Sequence, residues 1–148
     1  MNYFYIEIMG EPIPKLRARA TKLKGKIRHY DSQDKQKNFI KLILLQEIMK
    51  VPEKREYFYS AASFDVSMTF DMDYPISWSN LRKSRYLNGE HESMGKPDID
   101  NLAKFYLDCC NGIIFKDDAK VVSLNLKKRY TTKSRTIIEI LANKKKEE

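Results

Sequence analysis

The chain has 148 residues, of which 42% are apolar and 11% aromatic. That is one domain's worth of chain, with too much apolar matter for a disordered one. Adjacent Cys109 and Cys110 build no disulfide framework, which points to a reducing, cytoplasmic setting, and no apolar run is long enough to span a bilayer. Twenty-eight basic against twenty acidic residues give a net charge of +8, so polyanions are the expected partners.

In chain order, Tyr3 to Met9 alternates Phe4, Ile6 and Ile8 with Tyr3, Tyr5 and Glu7 and reads as a strand rather than a leader segment. Gly10, Pro12 and Pro14 end it. Asp31 or Ser32 can cap a helix running to about Lys50, with Phe39, Ile40, Ile43, Leu44 and Ile48 on one side and Pro52 as its stop. Phe64, Val66, Met68, Phe70 and Met72 alternate with polar residues, a one-sided strand. Residues 77 to 86 are weakly helical, and 87 to 96 read as loop. Asp100 to Asn111 forms a short helix closed by Gly112. Val122, Leu124 and Leu126 alternate, residues 131 to 134 turn, and Ile138 and Ile140 follow, which reads as a hairpin. The order predicts a single α+β domain over 1–148, a mixed sheet packed with helices, with 143–148 a frayed tail.

The charge excess is local. Lys15, Arg17, Arg19, Lys22, Lys24, Lys26, Arg28, Lys35 and Lys37 face only Asp31 and Asp34 in their stretch. The basic loop 15–30 carries two alternating sets that Gly25 can divide into two arms, an arrangement suited to phosphate contact. A solvated hairpin is the plainer reading. Lys127, Lys128, Arg129, Lys133 and Arg135 form a second basic group with no acid among them. Tyr30, Trp78 and Tyr86 can stack on bases of an opened strand; Trp78 fits the core equally well.

Carboxylates concentrate between Pro97 and Asp118: Asp98, Asp100, Asp108, Asp117 and Asp118. At 3.6 residues per turn, Asp100, Asn101, Lys104, Asp108 and Asn111 share an arc of about 100° on an otherwise apolar helix, a polar stripe suited to a cleft or an interface. Singly, each aspartate also fits a cap or a turn. If the segments carrying Asp98, Asp100 and the Asp117-Asp118 pair converge, three carboxylates about 5 Å apart repel by roughly 3 kcal/mol per pair at an effective dielectric near 20, so a cation or protonation must relieve them. All-oxygen ligation points to Mg²⁺ or Mn²⁺; His29 and His91 have no ligand spacing. A basic surface with a hard-metal acidic site is the make-up of a phosphodiester hydrolase, in which Lys104 would offset charge developing on the phosphate. Lys104 also suits an i,i+4 pair with Asp100 or Asp108.

The run Lys96-Pro97-Asp98-Ile99-Asp100-Asn101-Leu102-Ala103-Lys104, then Asp108, Asn111-Gly112 and Lys116-Asp117-Asp118-Ala119-Lys120-Val121, resembles the signature of the RusA family of Holliday-junction resolvases. Gly10-x-Pro12-x-Pro14-Lys15-x-Arg17-x-Arg19 resembles that family's opening strand and basic loop, and Leu126-Lys127-Lys128-Arg129-Tyr130 extends the likeness toward the end. The resemblance implies an α+β homodimer that resolves four-way DNA junctions by paired symmetric nicks in recombination and repair, with Mg²⁺ and no organic cofactor. It implies Asp98, Asp100 and Asp118 as the essential acids and metal ligands and Lys104 as an essential basic residue. Two symmetric cuts need two sites related by a two-fold axis. Ala18 stands where the family usually has proline, and Lys120 where it often has glutamine. The second departure also fits the loose nuclease pattern PD...(D/E)xK through Asp98, Asp118 and Lys120, and a non-catalytic basic DNA-binding protein is the remaining alternative.

Overall fold

A computed structural model describes residues 1–16, 19–23, 26–30 and 33–147, the backbone alone within 19–23 and 26–30. The alternation at the start becomes β1 (Tyr3–Met9), which buries Phe4, Ile6 and Ile8. The basic stretch forms an antiparallel hairpin of β2 (Arg19–Leu23) and β3 (Lys26–Tyr30), pairing Arg19 with Tyr30 and Leu23 with Lys26. The suggested turn at Gly25 and the caps Asp31 and Ser32 lie outside the described residues.

Helix α1 (Asp34–Ile48) buries Ile40, Leu44 and Ile48, whereas Phe39, expected on that side, is exposed. Pro52 does stop the pattern, but it also opens a helix the sequence reading missed, α2 (Pro52–Tyr59), because the first helical position has no intrahelical use for an N–H. The strand β4 (Ser63–Asp73) follows, then α3 (Asn80–Leu87), α4 (Ile99–Cys110), a single 3₁₀ turn at Asp118–Lys120, β5 (Val121–Thr131) and β6 (Arg135–Asn143). Asn143 is therefore strand rather than tail, and its side chain bonds Ser63 and Asp65.

The main sheet has the order β1-β6-β4-β5, with β6 antiparallel to both β1 and β4, and β5 parallel to β4. The expected hairpin of β5 and β6 is thus corrected: β4 lies between them, and residues 132–134 cross over its end. A parallel pair requires a long crossover, and α3 and α4 supply it. Helices α1, α2 and α4 pack on the sheet face carrying Phe4, Ile6, Phe64, Val66, Met68, Phe70, Ile138 and Ile140. Rings join the core end to end, Phe4 to Phe58 to Phe64 to Phe115 at 6.3, 5.9 and 5.1 Å.

The other face holds one buried charge. Asp71, fully buried on β4, accepts from Arg129 and from Arg135, and Arg135 also reaches Glu7. Burial pushes its carboxyl up, but the two guanidinium groups prevail and hold it below the usual carboxylate range. Two of the five cations in the second basic group are therefore consumed structurally.

Candidate active site

A satellite cluster sets the entrance to α4. Tyr74, Trp78, Tyr86 and Tyr130 pack together with ring centroids 5.0 to 6.2 Å apart. The Arg82 guanidinium lies 4.3 Å from the Trp78 ring and forks onto Glu92, tying the following loop to α3. Trp78 is 7% exposed and the Tyr86 hydroxyl accepts from the Tyr130 N–H, so these rings are packing groups rather than the base-stacking platform the sequence suggested. The side chain of Tyr30 lies outside the described residues.

The loop is pinned again at its far end. Lys128, half-buried on β5, donates to the carbonyls of Gly95 at 3.0 Å and Pro97 at 2.8 Å. Immediately afterwards α4 begins, one residue earlier than expected: Asp98 is its N-cap residue and Asp100 stands in its first turn. Both carboxylates are exposed where the helix dipole favours negative charge. They line one cleft of about 640 Å³ with Lys96, Ile99 and Lys128. Lys96 holds both oxygens of Asp98 at 3.0 Å, a solvent-facing pair worth little and easily exchanged.

Farther along α4 the polar stripe divides. Leu102, Ala103, Phe105, Tyr106, Cys109 and Cys110 are buried as the wheel predicts, and burial pushes the Cys110 thiol far up, which fits an inert packing cysteine. Lys104 is exposed, and the ion pair with Asp100 or Asp108 does not form among the described residues. Asp108 instead takes Lys15 at 2.6 Å, with the Lys37 ammonium 3.9 Å away. Lys15, expected on phosphate, thus anchors the root of the basic hairpin, where the buried Gln33 amide also bonds Leu16 N–H and Pro14 O. Arg17 and Lys24 lie outside the described residues, as do the side chains of Arg19, Lys22, Lys26 and Arg28.

Asp118 leaves from the other end of the helix. The turn after α4 folds onto Cys110, whose carbonyl accepts from Ile113 and Ile114, with Gly112 in the left-handed region at φ 78°. Phe115 then packs on Phe64, the register partner of Val121. Asp117 caps the 3₁₀ turn, accepting from Ala119 N–H at 2.9 Å; that bond, helped by the Asp118 side chain, holds its carboxyl low. Lys120 reaches the carbonyl of Ala61 at 3.4 Å. Twelve helical residues span about 18 Å. Asp98 and Asp100 therefore sit at one end of α4 and the chain to Asp118 departs from the other; among the described residues no three carboxylate, imidazole or thiol groups gather closely enough to hold a metal ion.

The family model described as Endodeoxyribonuclease RusA matches residues 9–141. The chain belongs to the RusA family. The match begins at the last residue of β1 and takes in the cleft loop, α4, the 3₁₀ turn, β5 and nearly all of β6. The chain is also 30% identical over 140 residues to "Uncharacterized protein YqaN" of Bacillus subtilis (strain 168), covering 95% of this chain and 96% of that protein. RusA membership implies an endonuclease, a hydrolase acting on DNA. No helix among the described residues is long and apolar enough to cross a membrane. Sequence reasoning missed Lys128 as a support of the RusA cleft. Its signal was a charge at an inward position of a strand, opposite Phe70.

Proposed function

We propose that this protein is a Mg²⁺-dependent, structure-specific endodeoxyribonuclease that resolves Holliday junctions as a homodimer. The observation that carries the reading is the exposed pair Asp98 and Asp100 in one lysine-flanked cleft, inside the segment that matches the family. Within one chain Asp118 starts from the opposite end of α4. Each acidic site therefore takes Asp98 and Asp100 from one copy and Asp118 from the other, and the two-fold axis that creates the sites also relates the two cuts.

The donor set fits a hard divalent cation: carboxylate oxygens in an open cleft, with room for phosphate and water as further ligands and neither imidazole nor thiol lining it. Bound there, Mg²⁺, or Mn²⁺ in its place, would polarise a phosphoryl oxygen and lower the pKa of a bound water. The protein's own groups do the rest. Asp98 exchanges its exposed Lys96 partner for the ligand. Lys104, free of an ion pair among the described residues and one turn beyond Asp100, supplies positive charge where the phosphate gains negative charge. Arg17, Arg19, Lys22, Lys24, Lys26 and Arg28 of the basic stretch 15–30 track the DNA backbone, with Lys15 at its start.

The PD...(D/E)xK alternative loses support, since Asp98 stands at the N-cap position of a helix rather than on a strand, Asp118 lies in a 3₁₀ turn and the Lys120 ammonium turns to Ala61. A labelled four-way junction with Mg²⁺ or EDTA tests the proposal. Metal-dependent paired nicks support it, with Asp100→Asn and Asp118→Asn binding the junction at least as tightly and cutting roughly 10²-fold less or worse. Binding without product at any Mg²⁺ concentration would mean a non-catalytic DNA-binding protein.

A further inference from the structure

We infer that α2 and the turn after α4 together form a phosphate clamp, in which Arg55, Tyr59 and Lys116 hold a backbone phosphate of the DNA beside Asp118. The inference rests on the nuclease reading above and adds a substrate contact outside both the acidic cleft and the basic stretch 15–30.

Arg55 stands four residues before Tyr59 on α2, the spacing that brings side chains together on a helix surface, and its guanidinium lies 5.9 Å from the centroid of the Tyr59 ring. Lys116 arrives from the turn after α4, with its ammonium 5.4 Å from the same ring. Two cations from separate elements therefore share one ring. Glu56 lines a pocket of about 350 Å³ with Arg55 and Tyr59, but adjacent helical residues point about 100° apart. Among the described residues neither Arg55 nor Lys116 has an ion pair.

The guanidinium is short of acceptors. Its charge is permanent and it carries five N–H donors, yet among the described residues its one hydrogen-bond acceptor is the Met49 sulfur at 3.9 Å, and its Nε is buried with no partner. A buried donor in that state calls for an acceptor from outside the chain. The carbonyls at the end of α2 do not serve: those of Glu56 and Phe58 accept from the Ser60 and Ala61 N–H groups, and that of Tyr57 accepts from the Ser60 hydroxyl.

Phosphate matches this donor set. The planar fork grips two oxygens, the ammonium adds a point charge, and the Tyr59 hydroxyl, unbonded among the described residues, offers a further donor. Nucleic acid is favoured over a lone phosphate because α2 carries cations on both sides: on the side opposite Tyr59, Lys144 lies 4.3 Å from the Tyr57 ring, and Lys145 and Lys146 follow it, exposed. The acids of the helix are Glu53 and Glu56. Position agrees with chemistry. Lys116 is two residues before Asp118, and Lys120 donates to the carbonyl of Ala61, two residues after Tyr59. The clamp thus flanks the carboxylate that the proposed reaction uses and grips the arm of DNA that passes it.

The test is junction binding by the full-length protein in EDTA at several salt concentrations. Arg55→Met and Lys116→Met are each expected to weaken binding about three- to tenfold, and together to lower the slope of log K against log salt by roughly 0.9, the share of one phosphate. Arg55→Lys is expected to keep the slope, and Glu56→Gln, which removes the acid from the pocket, to tighten binding. Single methylphosphonates walked along one arm locate the contact: at one position the uncharged linkage should weaken the wild type and leave the double variant unaffected. Lys116 is exposed, so Lys116→Met decides the matter even where circular dichroism shows Arg55→Met unfolded. Wild-type affinity in folded Lys116→Met, or a methylphosphonate profile shared by wild type and double variant, would overturn the clamp. The reading of function fails separately: DNA binding that depends on Arg55 and Lys116, in a protein that never nicks a junction with Mg²⁺, would contradict the nuclease and leave the clamp standing.

Discussion

Lys128 and Asp98 are coupled through one carbonyl: the ammonium on the edge strand holds Pro97 O at 2.8 Å, and the next residue starts α4 and the acidic pair. Charge-assisted bonds of this kind contribute about 1.5–3 kcal/mol each, and Lys128 makes two. Its role in the proposed reaction is to position the loop rather than to meet the substrate.

Lys128→Met keeps the aliphatic stem and removes the ammonium. Nicking is expected to fall roughly 10–100-fold, as misplacement of a reacting group by about 1 Å would cause. Junction binding in EDTA should stay near the wild-type value, and Lys128→Arg should recover part of the rate. Gel-shift and single-turnover nicking assays on the same preparations check both halves. A uniform loss of binding would instead make Lys128 a phosphate contact.

Asp71 predicts a pH dependence of stability. Its folded carboxyl titrates below the unfolded one, so its contribution is fully present above the unfolded value near 3.8 and is lost as pH falls through the lower folded value. Chemical denaturation from pH 6 downward should show wild-type stability declining below about pH 4, with Asp71→Asn flatter across that range. The variant should also lose about 1–3 kcal/mol at neutral pH, because Arg129 and Arg135, both partly exposed, would lose their charged acceptor.

The basic hairpin predicts a salt effect. Reversing Arg17, Arg19 and Lys24 to glutamate should weaken binding to duplex and junction alike and reduce the slope of log K against log salt by roughly 0.9 for each phosphate that is no longer neutralised. Titrations at several salt concentrations measure that slope directly. An unchanged slope would assign these residues elsewhere. Lys15→Met should change the slope less, because Asp108 already holds that ammonium.

Local periodicity made much of this fold readable: the alternation of β1 and β4 and the apolar sides of α4 follow from residues a few positions apart. What it could not reach were pairings set by distant chain. Residues 121 to 140 read as a hairpin because their turn is short, and only β4, some sixty residues earlier, separates the two strands. Asp71 looked like one more outward residue of an alternating strand until Arg129 and Arg135 arrived from β5 and β6. The acidic pair was legible from its spacing alone. The separation of Asp118 was not read from the sequence, which left its convergence with Asp98 and Asp100 open; twelve helical residues at about 1.5 Å each stand between them.

The most direct measurement mixes two inactive variants. Asp100→Asn and Asp118→Asn are each expected to be dead as homodimers. In a heterodimer with sites shared between copies, both substitutions fall in one site and the other is wild-type throughout. Purified, differently tagged heterodimers should therefore nick one strand of a four-way junction at near the wild-type rate per site and fail to make the paired cut. Heterodimers as inactive as their parents would place each site within a single chain and contradict the account.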